Sequence, residues 1–369
     1  MRIILHVDMD SFYAACETRE NVSLKGKPIL IYIGTGLDGK GMGRAVVSTA
    51  SYEARKYGCR SGMSLSQARR KCPEAVLVLA NFTLYEAVSE KIMAIFRKHA
   101  DAVEIGGIDE AYLDVSSAKT YEKAELIAKK IKAAVLEKER LTCSVGMGPN
   151  KLVAKMASDF QKPDGLTMVK TDAVQKFMDQ FPVRKLFGVG PKTEQKLKES
   201  FNVETVEQLR KLPKKSLVDI FGNSYGQYLY DASRGIDDTP LEEHPVPKSF
   251  GREVTFEKDT ADIIELEAAL SQLSKDVHNQ VLNAGFKYRT ITLVIRYENF
   301  EQHTAAKSLD EPTKELQPIL AVPNELLKPF LEDGRKIRKI GVRVSNFGEK
   351  PKKKAKKEKK IKPLKVVKV

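Results

Sequence analysis

The chain has 369 residues and a net charge of +14, with 63 basic and 49 acidic side chains. This length suits several domains with sizeable cores, and the four cysteines, which form no Cys-x-x-Cys pair, are not expected to build a disulfide framework or a zinc site. No apolar stretch is long enough to cross a membrane and no leader pattern follows Met1, so we expect a cytoplasmic protein without a membrane partner.

The first predicted element is a buried strand that ends in an acidic residue. Residues 3–7 are mostly apolar, and Asp8 follows them directly. A carboxylate at the end of a buried strand lies where chemistry is usually done. Asp10 precedes a predicted helix that starts near Ser11, and we interpret it as a turn former or as the helix N-cap.

A second pair of acids, Asp109 and Glu110, lies between two later predicted strands. On a flat strand the two side chains would point to opposite faces, but a bend at Gly106 and Gly107 would let both aim the same way. Carboxylates that converge with Asp8 repel each other unless cations lie between them, and oxygen ligands favour Mg²⁺. Two such ions can clamp the attacking and leaving oxygens of a phosphoryl transfer.

Three other segments have recognisable patterns. Residues 120–138 predict an amphipathic helix with Ile127, Ile131 and Val135 on one side. Residues 186–193 read Leu-Phe-Gly-Val-Gly-Pro-Lys-Thr, which is typical of a helix-hairpin-helix whose amides can face a phosphate. The glycine-rich loop 34–43 lacks a Walker pattern, so we interpret it as a mobile connection and not as a phosphate cradle.

Basic charge collects near the C-terminus. Residues 350–369 contain eleven lysines and one glutamate, and so carry +10 of the total of +14. We expect this tail to be disordered; it either tethers the protein to phosphates or only solubilises it. Residues 287–296 and 335–343 predict basic strands. A sheet that is basic on one face suits a duplex backbone, whereas a solvated strand face is the alternative.

Five segments in the same order resemble the motifs of the Y-family of translesion DNA polymerases, in particular its DNA polymerase IV branch. They are DMDSFYA (8–14), SYEARKYG (51–58), IDEAYLD (108–114), SVG with NKLVAK (144–155) and KPDG (162–165). A single tetrapeptide would be weak support, but five collinear motifs are strong. The resemblance extends from Met1 to about Gly348.

The resemblance implies roles for residues near the acids. Asp8, Asp109 and Glu110 would be the catalytic residues and would hold two Mg²⁺ ions, with the carbonyl oxygen of Met9 as a further ligand. Tyr13 would be the steric gate, an aromatic ring under the sugar of the incoming nucleotide that discriminates between substrates. Ordinary helix packing is the alternative for Tyr13.

The resemblance also implies contacts to the substrates. Tyr52, Arg55 and Lys162 would bind the triphosphate beside Tyr13. Tyr52 and Arg55 share a helix face, and a guanidinium suits phosphate oxygens, although a solvated charge is the alternative for Arg55. The candidate DNA contacts are Gly188, Gly190, Lys192, Arg289, Arg335, Lys336, Arg338, Lys339 and Arg343.

The implied fold is an α+β multidomain protein, a right-hand polymerase. Its α/β palm would comprise residues 1–10 and 78–166, and its small fingers residues 11–77. The helical thumb with the helix-hairpin-helix would be 167–240, and a linker at 241–247 would lead to a C-terminal α/β little finger at 248–348. Residues 349–369 would be the lysine-rich tail.

The implied function is template-directed addition of deoxynucleotides to a primer 3′ end, in DNA damage tolerance and repair. Small residues on the fingers, Val46, Ser48 and Ala50, would leave the site open, so fidelity would be low, and no proofreading unit is expected. Primer-template DNA and deoxynucleoside triphosphates would be the partners of a monomer. Members of the family often carry a C-terminal sliding-clamp motif, but none follows Phe347, which argues against clamp binding through the C-terminus.

Two other functions remain open at this point. A nucleotidyl cyclase of the palm type also uses strand-borne carboxylates and two metal ions, but it would not need a helix-hairpin-helix or a basic strand domain. A non-catalytic DNA-binding scaffold would keep those domains and could lose carboxylates, whereas all three are present.

Overall fold

The protein is described here by a computed structural model that covers residues 1–34, 43–332 and 334–348. The chain divides into two compact units, Met1–Pro245 and the part that starts at Val246. Most of the glycine-rich loop and the whole lysine-rich tail lie outside the described residues, so the predictions made for them stay predictions. No helix among the described residues is both long and apolar enough to cross a membrane.

The first unit contains two sheets. In the described part, its strands are β1 (Ile4–Met9), β2 (Ile29–Ile33), β3 (Val46–Ala50), β4 (Val76–Leu79), β5 (Ala102–Ile105), β6 (Glu110–Asp114), β7 (Cys143–Gly148) and β8 (Leu166–Met168). A five-stranded sheet has the order β5-β6-β1-β7-β8, and a three-stranded sheet has the order β3-β2-β4. Strand β1 is nearly all buried because it pairs on both sides, antiparallel to β6 and to β7, which explains its continuous apolar run.

Helices cover the sheets of the first unit, and the later ones, with α6, form a separate hydrophobic core between Leu152 and Ala232. They are α1 (Phe12–Glu20), α2 (Tyr52–Lys56), α3 (Leu65–Lys71), α4 (Phe82–Arg97), α5 (Tyr121–Glu139), α6 (Lys151–Ser158), α7 (Val174–Asp179), α8 (Pro191–Phe201), α9 (Val206–Arg210), α10 (Lys214–Phe221) and α11 (Asn223–Ala232). The predicted amphipathic helix is confirmed as α5, whose Ile131 and Val135 are fully buried. Thr120 caps it by accepting a hydrogen bond from the Lys123 amide.

Two local features differ from the sequence predictions or refine them. Of the two interpretations of Asp10, the turn is confirmed and the N-cap is wrong, because Asp10 lies in the turn before α1 while Ser11 occupies the N-cap position and makes no side-chain capping bond. The predicted domain limits stay a prediction, but Phe12 and Cys16 of α1 pack in the same core as the five-stranded sheet, and β4 carries the three-stranded sheet as far as Leu79.

Helix α6 lies unusually close to the five-stranded sheet. At Gly146 of β7, an added Cβ would lie only 2.0 Å from the carbonyl oxygen of Ala154. A glycine is therefore required where the backbones of β7 and α6 approach each other. This close approach packs α6 against β1, so that Ala154 lies against Ile4 and Lys155 lies near His6.

In its described residues, the second unit is a four-stranded sheet covered by two helices. Its elements are β9 (Ser249–Thr260), α12 (Ile263–Ala284), β10 (Tyr288–Tyr297), β11 (Gln302–Thr313), α13 (Leu316–Leu327) and β12 (Ile337–Ser345). The sheet order is β11-β10-β12-β9, and all neighbours are antiparallel. The two predicted basic strands correspond to β10 and β12, the two central strands.

The four cysteines, Cys16, Cys59, Cys72 and Cys143, are free and buried. Burial raises the pKa of Cys16 and of Cys143 to about 12, and it raises the pKa of Cys59 and Cys72 as well. Since the thiolate is the reactive form, we expect the folded protein to react very slowly with an aromatic disulfide reagent near pH 8. The absorbance of released thiolate should reach four equivalents only after unfolding in guanidinium, and rapid reaction of the folded protein would contradict this.

Candidate active site

Two of the three predicted carboxylates meet across neighbouring strands. Asp8 near the end of β1 lies directly opposite Glu110 at the start of β6. The predicted glycine bend is present, since the amides of Gly106 and Gly107 donate hydrogen bonds to the Glu110 carbonyl oxygen, at 3.0 and 3.1 Å. The third acid, Asp109, lies in this turn, and its carbonyl oxygen accepts a hydrogen bond from the Met9 amide at 3.0 Å. The turn thus fastens all three acids to one end of the sheet.

Each of the paired carboxylates has a lysine partner. Asp8 Oδ1 lies 2.7 Å from Lys162 Nζ, which also lies 2.9 Å from Asp159. Glu110 Oε2 lies 2.6 Å from Nζ of Lys155 on α6. These ammonium groups offset the negative charge that converges here.

Burial and neighbouring charges shift the pKa values of the three carboxyl groups. Burial raises the pKa of Asp8 to about 7, with Lys162 acting in the opposite direction and the charge of Asp109 adding to the rise. Burial and the charge of Glu110 raise the pKa of Asp109. The pKa of Glu110 is lowered by its contacts with His6 and with the Lys155 ammonium. Mutual repulsion among buried carboxylates is the environment in which a bound cation is most favourable.

The donor atoms fit a metal ion of the Mg²⁺ class. Potential ligand atoms of His6, Asp8 and Glu110 all lie within 4.8 Å of one another, and Asp109 is fixed next to Met9 by the backbone bond described above. Hard carboxylate oxygens suit Mg²⁺. His6 Nε2 lies 3.5 Å from Glu110 and is a potential metal ligand that the sequence analysis did not include.

Tyr13 lies at the start of α1 in an aromatic cluster. Its ring stacks on Tyr85, with 4.3 Å between centroids and 15° between planes, and meets the edge of Phe82 at 5.9 Å. The Tyr85 hydroxyl donates to Glu17 at 2.7 Å, which holds the backing ring in place. Tyr13 is half-buried, so the ring has a packed face and an open one, and the packing and gate interpretations are both compatible with it.

The predicted triphosphate contacts come from the fingers and from a palm loop. Tyr52 and Arg55 do share a face of α2, where the guanidinium carbon lies 4.7 Å from the ring centroid. Arg55 Nε donates to the Ala50 carbonyl oxygen at 3.0 Å, and the side chain is otherwise exposed. Lys162 approaches from the loop before β8. Of the small residues expected beside the nascent pair, Val46 and Ser48 are partly exposed, whereas Ala50 is 1% exposed and belongs to the core of the fingers sheet.

Sequence reasoning missed three supporting residues of this site. Lys155, whose position in the NKLVAK motif was a usable signal, reaches Glu110 because α6 packs closely on the sheet. His6 Nδ1 lies 2.8 Å from the Ser158 hydroxyl, which itself donates to the Lys155 carbonyl oxygen. Burial lowers the pKa of His6. The third missed residue, Asp10, accepts hydrogen bonds from Ser144 and from the Asp164 amide, each at 2.8 Å.

Comparison with known proteins relates this site to a family. Residues 7–159 match the model of the impB/mucB/samB family, residues 247–358 match the C-terminal domain of that family, and residues 184–237 match the thumb domain of DNA polymerase iota. A DNA polymerase IV of Methanoculleus marisnigri is 44% identical over 345 residues, which are 93% of this chain and 94% of that protein. A DNA polymerase IV of Clostridioides difficile is 41% identical over 352 residues, 95% of this chain and 94% of the relative.

Solved structures agree with these relatives. A Y-family DNA polymerase chimera, Dbh-Dpo4(243-245)-Dbh, superposes with a TM-score of 0.85 at 31% identity and covers 94% of this chain and 99% of its own. The chain belongs to the Y-family of translesion DNA polymerases, in its DNA polymerase IV branch. It is a DNA-directed DNA polymerase, and the predicted right-hand fold with palm, fingers, thumb and little finger is confirmed. DinB from Sulfolobus solfataricus superposes with a TM-score of 0.63 at 30% identity, with the same coverage.

The thumb of this polymerase carries the predicted hairpin. Gly188 has a positive φ of 82° and its carbonyl oxygen accepts from the Tyr225 hydroxyl at 2.8 Å. Gly190 is the N-cap of α8, with Pro191 as its first residue and Lys192 exposed in the first turn. The amides at this helix start are thus left available for an anion.

Some of the basic residues predicted to bind DNA on the little finger form ion pairs or hydrogen bonds within their own unit. Lys339 pairs with Glu253, and Arg335 lies 2.9 Å from Glu301. Arg289 Nε donates to the Leu309 carbonyl oxygen at 2.9 Å. The rest of the predicted set is Arg338, which is partly exposed, and Lys336 and Arg343, which are exposed. Their contact with DNA stays a prediction.

Proposed function

We propose that this polymerase extends a primer 3′ end on a DNA template by a phosphoryl transfer that depends on two Mg²⁺ ions. The observation that carries the proposal is the meeting of Asp8 with Glu110, with Asp109 fixed beside them. Such ions, when bound, activate the primer 3′-hydroxyl and neutralise the departing pyrophosphate. The carboxylates supply the charge and the oxygen ligands for this chemistry.

The side chains around the carboxylates bind and orient the nucleotide. Lys162 and Arg55 hold the triphosphate, Tyr52 adds a hydroxyl, and Tyr13 lies under the sugar. Burial raises the pKa of Tyr52 to about 12, so its hydroxyl stays protonated and can donate a hydrogen bond to a phosphate oxygen. Lys162 is well suited to this role, because it already lies at the carboxylate cluster with an ammonium charge that Asp8 stabilises.

The substrates follow from the same placement. Primer-template DNA lies on the palm, with phosphate contacts from the thumb hairpin and from the basic strands of the little finger. The relatives in solved complexes include an insertion ternary complex of Dbh DNA polymerase, at 30% identity, which supports binding of DNA and nucleotide together. We further propose low fidelity, no proofreading, a role in damage tolerance and repair, and a monomer.

Primer extension with Mg²⁺ tests this function against its rivals. The protein should add matched deoxynucleotides to a labelled primer annealed to a longer template, and should add none without template or with EDTA. A nucleotidyl cyclase would convert a nucleoside triphosphate into a cyclic product without DNA. A DNA-binding scaffold would bind the primer-template and leave it unextended, and either of these results would refute the proposal.

Deletion of all residues after Gly348 tests the lysine-rich tail. Insertion on saturating primer-template should change little, while DNA affinity should fall mainly at low salt, because the tail acts through phosphate charge. Each lost phosphate contact should flatten the log–log salt dependence by about 0.9 on duplex. Fluorescence anisotropy over a salt series measures this slope, and a full-length variant with the tail lysines changed to glutamine is the matched control. Equal slopes for all three proteins would show that the tail only solubilises.

A further inference from the structure

Asp10 joins four parts of the active-site region. Its side chain starts from the end of β1 and is 5% exposed. Oδ1 accepts from the hydroxyl of Ser144 on β7 at 2.8 Å and lies 3.4 Å from the hydroxyl of Tyr52 on α2. Oδ2 accepts from the amide of Asp164, two residues after Lys162, at 2.8 Å. One buried carboxylate therefore connects the palm strands, the fingers helix and the loop that carries Lys162.

The same loop is held from its other side by α5. Lys132 Nζ donates to the carbonyl oxygens of Cys143 and Asp164, at 2.6 and 2.9 Å, and lies 2.6 Å from the Asp164 carboxylate. The Gly165 amide donates to the Ser144 hydroxyl at 3.2 Å. The loop backbone is thus fixed by groups that do not include the Lys162 ammonium.

We propose that Asp10 is a positioning residue that aligns Lys162 and Tyr52 for the nucleotide triphosphate; this inference rests on the proposed polymerase function. Asp8 and Asp10 act on the same loop in different ways. Asp8 holds the ammonium of Lys162, whereas Asp10 holds the backbone of the loop. When the Lys162 ammonium leaves Asp8 and binds a triphosphate, the loop keeps its position because the Asp164 amide stays hydrogen-bonded to Asp10.

The chemistry of the contact requires a carboxylate. The Asp164 amide is a fixed donor, and the Ser144 hydroxyl donates to Asp10 while its oxygen accepts from the Gly165 amide. Oδ2 meets the Asp164 amide, and Oδ1 meets the Ser144 hydroxyl and, at 3.4 Å, the Tyr52 hydroxyl. Hydrogen bonds to an ionised acceptor are the strong ones. In Asp10→Asn the negative charge is lost and one oxygen becomes an NH₂ group, so the Asp164 amide and the Ser144 hydroxyl no longer both have a charged acceptor and the loop is held less firmly.

Nucleotide affinity measured without turnover tests the inference. The full-length protein is bound to a dideoxy-terminated primer-template with Mg²⁺, and the Kd of the next matched deoxynucleotide is measured by fluorescence. Asp10→Asn should weaken this Kd by about tenfold, the effect of one charge-assisted hydrogen bond at a contact site, with DNA affinity unchanged. Asp101→Asn is the matched control, since Asp101 also accepts a backbone amide hydrogen bond, from Ser117, but at the far end of the palm sheet.

A double-mutant cycle separates positioning from a general loss of stability. If Asp10 acts through Lys162, then Asp10→Asn should weaken nucleotide binding much less in a Lys162→Ala background than in the wild-type background. Full additivity would overturn the inference. So would an Asp10→Asn variant that binds nucleotide like wild type while Lys162→Ala binds it more weakly.

If Asp10→Asn fails to fold, Ser144→Ala is the second variant, because it removes one of the same hydrogen bonds and should also weaken nucleotide binding. An unchanged Kd for Ser144→Ala would overturn the inference as well. A wild-type protein that neither binds nucleotide nor extends a primer would refute the proposed function itself.

Discussion

Primer extension should nearly vanish in each of the variants Asp8→Asn, Asp109→Asn and Glu110→Gln. Each change removes one negative charge and one oxygen ligand with little change in shape, at a place where three carboxylates converge on one end of the sheet. We expect the rate to fall by at least about 100-fold, which is typical when one preorganised electrostatic group at a reacting centre is lost. Single-turnover insertion on saturating primer-template with Mg²⁺ measures this.

A control on the same strand shows whether the loss is specific. Asp114→Asn changes an acid at the far end of β6, where the carboxylate accepts the Ser116 amide at 2.8 Å, so insertion should stay near the wild-type rate. DNA affinity of the three site variants should also stay near that of wild type, because the phosphate contacts are elsewhere. A site variant that inserts nucleotides as fast as Asp114→Asn would exclude that residue from the catalytic centre.

Parts of this site could be predicted from sequence because their causes are local. An apolar run that ends in Asp8 predicts a buried strand with an acid near its end, and the structure has Asp8 at the fifth position of β1. Gly106 and Gly107 predict a bend, and their amides close the turn on the Glu110 carbonyl. Since a hairpin sets its own register, the acids of the turn and of β6 follow from the same few residues.

Other parts depend on contacts between residues far apart in the chain. Lys155 reaches Glu110 because Gly146 lets α6 approach β7, and nothing in the helix pattern of residues 151–158 shows which strand lies beneath it. Lys132 appears in sequence as one of many lysines on an amphipathic helix. Its four acceptor contacts exist only because the loop around Asp164 lies against α5.

Asp10 shows the limit of local interpretation most clearly. An acid just before a helix is usually a turn former or a cap; Asp10 does lie in the turn before α1, but it is not the cap. The residue is instead a partner of Ser144 and Asp164, which are 134 and 154 positions away in sequence. A burial of 95% would have been a useful signal, since a buried carboxylate must find donors, but burial is known only once the sheet and the fingers helix are in place.

Replacement of Tyr13 with alanine should largely remove the preference for deoxynucleotides over ribonucleotides. A ribonucleotide differs by one hydroxyl, and a pocket rejects an added hydroxyl strongly only where a rigid surface occupies its position. The Tyr13 ring is such a surface, because Tyr85 stacks behind it at 4.3 Å and is itself held by Glu17. We expect the ratio of ribo- to deoxynucleotide insertion efficiency to rise by roughly 10²-fold, with a much smaller change for the deoxynucleotide.

The alternative, that Tyr13 is only a packing residue, predicts a different pair of results. Loss of a buried aromatic ring costs about 3–5 kcal/mol, so activity with both sugars would then fall together and the melting temperature would drop sharply. Tyr13→Phe keeps the ring and should keep the selection. Phe160→Ala removes a ring that is 45% exposed from a separate aromatic cluster with Phe177 and Phe181, and should lower the melting temperature without changing the sugar ratio. If Tyr13→Ala behaves like Phe160→Ala in both measurements, the ring serves packing alone and sugar selection must come from another surface of the site.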